Sequence, residues 1–137
     1  MPNNNYNTRS SKAPYKNKKI VLIIEDDVEM NNLLKMLIRQ ICECSIEQIY
    51  NGTDAIRRIN ASEEKICLVI LDLSLPGVSG QSVLDTILTK NIRVAIITAD
   101  PIAAQRLVGK VSGVFTKPWN KMEFLAKLTS LLLVDEA

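Results

Sequence analysis

A chain of 137 residues with 47% apolar residues and a mean hydropathy of +0.07 fits one domain with its own hydrophobic core and is too apolar for disorder throughout. Its longest apolar runs, Ile20 to Ile24 and Ile66 to Leu71, are far too short to cross a bilayer, and the N-terminus lacks the apolar core of a secretory signal. The net charge of +2 hides an asymmetry: residues 1–19 hold Arg9, Lys12, Lys16, Lys18 and Lys19 with no acid, and the rest holds twelve basic and fifteen acidic residues.

Residues 1–18, rich in Asn, Ser and Lys, read as a flexible basic leader. Ile20 to Ile24 has the continuous apolar pattern of a strand buried on both faces, and it ends in Glu25-Asp26-Asp27. Leu33, Leu34, Leu37, Ile38 and Ile41 recur at helical spacing, with Asp27 placed to cap that helix. Ser45 to Tyr50 alternates weakly as a strand, Asn51-Gly52 reads as a turn, and Ala55, Ile56 and Ile59 mark a second helix. Ile66 to Leu71 is another buried strand and ends at Asp72. Pro76-Gly77 and Gly80 read as a loop, followed by a helix through Val83, Leu84, Ile87 and Leu88. Val94 to Ile97 is a strand ending at Thr98, and Asp100-Pro101 supplies a cap and a first-turn proline for a short helix that stops near Gly109. Val114 to Thr116 is the fifth strand, ending at Lys117-Pro118; Asn120 and Glu123 then resemble a capping box for a last helix through Leu125, Leu128, Leu131 and Leu132.

Five β-α units in alternation favour an α/β fold with a doubly wound parallel sheet and helices on both faces. Ligands of such sheets bind beyond the carboxyl ends of the strands. Glu25, Asp26, Asp72, Thr98 and Lys117 all follow strand ends and so share that edge. Each alone has an ordinary reading as a cap, a strand hydroxyl or a surface lysine; together they describe a pocket. Carboxylates a few ångströms apart in a cleft repel one another, and a hard divalent cation such as Mg²⁺ relieves this. Asp72 can then serve as nucleophile toward phosphorus, with Lys117 and Thr98 stabilising the phosphoryl oxygens.

Four segments carry a resemblance: Ile23-Ile24-Glu25-Asp26-Asp27, Val69-Ile70-Leu71-Asp72 continuing to Gly77, Ile96-Ile97-Thr98-Ala99, and Phe115-Thr116-Lys117-Pro118-Trp119. Together they resemble the CheY-like receiver domain of two-component response regulators, over about residues 19–134. The resemblance implies a flavodoxin-like five-stranded sheet in the order 2-1-3-4-5. It implies Asp72 as phospho-acceptor, Lys117 as phosphate-binding lysine and Thr98 as switch hydroxyl. Glu25, Asp26, Asp72 and the Ser74 backbone carbonyl would hold Mg²⁺, and the Lys117–Pro118 peptide would be cis. The implied donor is a sensor histidine kinase or phosphotransfer protein, and the downstream protein partner is unknown. Asp27 caps a helix in this reading, or else shifts the frame of the acid pair by one.

Two departures from the family pattern stand out. The position three before the lysine, usually Tyr or Phe, is Val114, and strand alternation points the neighbouring Phe115 to the other face. Thr98 and Lys117 are only 19 positions apart, which implies a trimmed fourth helix. Phosphorylation is therefore expected to act through loops and that helix, without a rotating aromatic.

No output domain follows residue 134, so a stand-alone signalling switch rather than an enzyme is expected; a receiver from a hybrid histidine kinase would look the same, with the leader as linker. A pseudo-receiver that ignores phosphate is the third possibility, opposed by the full acidic set. Ser74 stands where an aspartyl-phosphate phosphohydrolase wants a second acid. With no histidine, Ser-His and Cys-His chemistry is excluded, and Cys42, Cys44 and Cys67 cannot complete a four-ligand zinc site. They read as buried or half-buried free thiols of a cytoplasmic protein. Only the basic leader hints at nucleic acid, and the solvated reading is preferred there.

Overall fold

The computed structural model describes residues 19–61, 65–75 and 77–134. The basic leader and Pro76 lie outside the described residues. Strands β1 (Ile20–Ile24), β2 (Ser45–Ile49), β3 (Ile66–Asp72), β4 (Val94–Thr98) and β5 (Gly113–Thr116) alternate with helices α1 (Val28–Arg39), α2 (Gly52–Asn60), α3 (Gly80–Thr89), α4 (Pro101–Leu107) and α5 (Lys121–Val134). The sheet order is β2-β1-β3-β4-β5, and every neighbouring pair is parallel.

Strand alternation sorts the core into two layers. Ile20, Leu22, Ile24, Val69, Leu71, Val94 and Ile96 meet Ala55 and Ile59 of α2 and Val83, Leu84 and Ile87 of α3. On the other face Val21, Ile23, Leu68, Ile70, Ala95, Ile97 and Phe115 meet Leu34, Leu37 and Ile38 of α1 and Phe124, Leu128 and Leu132 of α5. β1, β3 and β4 are buried at every position because helices cover both faces, which is why they are continuous apolar runs. The edge strand β2 is half-buried and reads only weakly. A register shift between β1 and β3 opposes Val21 to Leu68 and Ile20 to Ile66, so Cys67 and Leu68 both enter the same layer.

The caps fall as the sequence indicates. Asp27 Oδ1 accepts from the Glu29 and Met30 amides, Asp100 Oδ1 from Ile102 and Ala103, and Asn120 Oδ1 from Glu123. Asn51-Gly52 is not a free turn: Asn51 caps α2 through the Asp54 amide, and Gly52 is the first helical residue. A Cβ at Gly52 would sit 2.6 Å from the Val78 carbonyl oxygen, so glycine lets α2 start against the β3–α3 loop. The fourth helix is short, as the spacing implied; α4 has seven residues and is followed by Gly109 at φ +86°. At the far edge of the sheet, Lys19 Nζ and Arg93 Nη2 donate to the Leu132 and Leu131 carbonyls in the last turn of α5, where a helix favours positive charge.

Candidate functional site

The carboxyl ends of β1, β3, β4 and β5 bring Glu25, Asp72, Thr98 and Lys117 together, with Asp26 beside them. Carboxylate oxygens of Glu25, Asp26 and Asp72 all lie within 4.8 Å of one another. Glu25 is 2% exposed and Asp72 3%, whereas Asp26 faces solvent. Asp27 is occupied with α1 amides, whereas Glu25 and Asp26 are the two acids of this stretch that gather with Asp72.

Charge in the pocket is poorly balanced. Lys117 Nζ reaches Asp72 Oδ2 at 3.4 Å and Glu25 Oε1 at 3.8 Å. Asp72 Oδ1 accepts from the Ser74 amide at 2.9 Å, and Glu25 Oε2 from the Asp27 amide at 3.1 Å. Glu25 Oε1 is buried with no hydrogen-bond partner. Burial raises the Glu25 carboxyl from 4.5 to about 7; the Asp27 amide pulls it down, Asp72 pushes it further up, and Lys117 offsets part of this. Three clustered carboxylates with one ammonium beside them, and a buried carboxylate oxygen without a hydrogen-bond partner, form a set of oxygen donors that could hold a hard divalent cation.

Thr98 is buried at the end of β4, and its Oγ1 accepts from the Asp100 amide at 3.0 Å. The Thr98 carbonyl accepts from the Lys117 amide at 2.8 Å, which ties β4 to the lysine-bearing loop. The Lys117–Pro118 peptide is cis. Phe115 points inward, edge-on to Phe124 with centroids 4.5 Å apart, and Lys127 Nζ lies 5.5 Å over its ring; Val114 is half-buried. Trp119 stacks on Phe124 at 4.9 Å. An open, mainly apolar groove of about 650 Å³ runs beside the pocket, walled by Met30, Leu33, Leu37, Pro118 and Trp119 with Lys117 at its inner edge.

Asn31, fully buried at the start of α1, was missed by reading the sequence. Its signal was a polar residue on the stripe that Asp27, Leu34 and Ile38 define at helical spacing.

Residues 21–129 match the response regulator receiver domain family. The chain belongs to that family. It is 29% identical over 116 residues to a transcriptional regulatory protein CpxR homolog of Haemophilus influenzae, covering 82% of this chain and 49% of that protein. Chemotaxis protein CheY of Treponema pallidum is 23% identical, covering 88% of this chain and 84% of that one. Hybrid signal transduction histidine kinase D of Dictyostelium discoideum is 25% identical, covering 88% of this chain and 8% of that one. Among solved structures, the signal receiver domain of a protein described as a Luxo repressor from Vibrio parahaemolyticus superposes with a TM-score of 0.74 at 30% identity, over 87% of this chain and 93% of that one. The receiver spans about half the length of the transcriptional regulators it matches. No helix among the described residues is long and apolar enough to cross a membrane.

Proposed function

We propose that this receiver is a phospho-acceptor switch in which Asp72 takes a phosphoryl group from a phosphohistidine donor, a sensor histidine kinase or a phosphotransfer protein. The observation that carries this reading is the buried Asp72 carboxylate held between Lys117 Nζ at 3.4 Å and the Glu25–Asp26 pair. One Asp72 oxygen attacks phosphorus, an aspartyl P–O bond forms, the histidine P–N bond breaks, and its electron pair returns to the imidazole. The Ser74 amide orients the carboxylate from Oδ1. Lys117 compensates negative charge on the transferred group, and Thr98, one strand over, offers its hydroxyl to a phosphoryl oxygen. Glu25, Asp26, Asp72 and the Ser74 carbonyl would hold Mg²⁺, which supplies the positive charge that lets phosphate approach three carboxylates. The phosphorylated form then changes which downstream protein it binds. Ser74, two positions after Asp72, stands where a phosphohydrolase wants a second acid and so supports a switch over a turnover enzyme. Three cysteines, none of them in a disulfide, fit a reducing, cytoplasmic setting.

Similarity to both transcriptional regulators and a hybrid kinase leaves the same acceptor chemistry compatible with either setting. Intact-protein mass after incubation with acetyl phosphate and Mg²⁺ tests the reading. One phosphoryl adduct is expected on the native chain, lost in Asp72→Asn and lost with chelator. A native chain that gains no adduct and binds no Mg²⁺ would identify a phosphate-independent pseudo-receiver.

A further inference from the structure

The buried polar side chains among the described residues are Glu25, Asn31, Asp72 and Thr98. Three of them face the pocket; Asn31 lies behind it. Its Nδ2 donates to the Glu25 carbonyl at 2.9 Å and the Ile49 carbonyl at 3.3 Å, and its Oδ1 accepts from Gln48 Nε2 at 3.0 Å. The Ile49 carbonyl also takes the Glu25 amide at 3.0 Å, the rung just past the end of β1. One carboxamide thus joins the ends of β1 and β2 to the first turn of α1.

The Glu25 carbonyl belongs to the peptide that links Glu25 to Asp26, so its direction fixes where both side chains leave the backbone. We propose that Asn31 is a positioning residue for the acid pair, holding the Glu25–Asp26 peptide so that both carboxylates face the cation site. This rests on the Mg²⁺-dependent function proposed above. Mutual repulsion among Glu25, Asp26 and Asp72 tends to spread them apart, and Asp26 has no burial to restrain it. Mg²⁺ demands near-octahedral ligation and tolerates such spreading poorly. Only a group with two donors and an acceptor satisfies this position: aspartate lacks the donors, and leucine would take this donor from the Glu25 carbonyl and this acceptor from Gln48, while the Ile49 carbonyl would keep the Glu25 amide. Gln48 fixes the amide the right way round, and it also donates to Asn32 Oδ1 at 2.8 Å.

Titration calorimetry of the full chain with MgCl₂ tests the proposal, with Ile59→Ala as a control buried on the opposite face of the sheet. Partners behind a metal ligand typically change affinity about 10–100-fold, so Asn31→Ala should weaken Mg²⁺ binding at least tenfold. A second readout needs no metal: the Asp27 amide, bonded to Glu25 Oε2 at 3.1 Å, should exchange its hydrogen faster in metal-free Asn31→Ala and not in Ile59→Ala. Native-like Mg²⁺ affinity in Asn31→Ala, or an equal loss in Ile59→Ala, overturns the positioning role and leaves the phospho-acceptor reading intact. A wild-type chain that binds no Mg²⁺ overturns both. If Asn31→Ala does not fold, Gln48→Ala decides, with weakened Mg²⁺ binding expected and unchanged binding counting against the role.

Discussion

Glu25→Gln should make the metal-free protein more stable, although it damages the pocket. The native carboxyl is raised from 4.5 to about 7, chiefly by burial. Below pH 4.5 the folded and unfolded chains both carry it neutral, and its contribution is fully present. Between 4.5 and about 7 the unfolded chain releases the proton and the folded chain keeps it, so stability falls as pH rises. Above the folded value the loss is complete, about 3 kcal/mol at 1.36 kcal/mol per pKa unit. Glutamine keeps an acceptor for the Asp27 amide and removes the ionisation, and the attraction to Lys117 is already contained in the folded value of about 7. The expected gain over wild type is therefore about 3 kcal/mol near pH 8 and close to zero near pH 4.5. Urea unfolding in chelator, followed by Trp119 fluorescence, measures this difference at each pH. Mg²⁺ should reverse the ranking, since it binds and stabilises wild type more than the variant. A difference that stays flat between pH 4.5 and about 8 would refute the assignment of that strain to Glu25.

Three further variants probe the frame. A Cβ at Gly80 would lie 2.3 Å from the Leu73 carbonyl oxygen, directly after Asp72. Gly80→Ala should thus cost about 2 kcal/mol by denaturation, despite a helix-propensity gain of up to about 1 kcal/mol, and should weaken Mg²⁺ binding. Phe124→Ala removes a fully buried ring that touches both Phe115 and Trp119, for a loss of about 3–5 kcal/mol and a red-shifted Trp119 emission. Glu47 is paired with Arg58 at 2.6 Å, which lowers its carboxyl, so its stabilisation is present above 4.5 and is lost as pH falls through the folded value. Because the pair is partly solvated, Glu47→Gln should cost less than about 1 kcal/mol at neutral pH and nothing in acid, as read by urea midpoints.

Much of this frame was legible because burial on both faces leaves a strand no choice of residue. β1, β3 and β4 are uninterrupted apolar runs, and the first polar residue after each run belongs to the pocket. The short α4 followed from the spacing of Thr98 and Lys117, and the inward Phe115 followed from strand alternation. Asn51-Gly52 misled because turn and cap chemistry use the same residues; the choice was made by the approach of Val78, a long-range contact. The role of Asn31 could not be read from its place on the helical stripe, for a related reason. Its carbonyl partners lie at the ends of two strands, and one of them is 18 residues away in sequence.

The position of Phe115 bears on how a phosphorylated form would signal. Phe115 fills the core layer against Phe124, under Lys127, and moving it out would open a cavity comparable to a phenyl ring. Such a displacement costs about 3 kcal/mol or more. The contacts that can respond cheaply are polar. Thr98 Oγ1 holds the Asp100 amide, Asp100 in turn caps α4, and a phosphoryl group that engaged the Thr98 hydroxyl would pull on that cap directly. With only seven residues, α4 depends on its cap and on Leu107 more than a longer helix would. Under the proposed function the signal thus runs from Thr98 through Asp100 into α4, while the aromatic layer beneath β5 stays fixed.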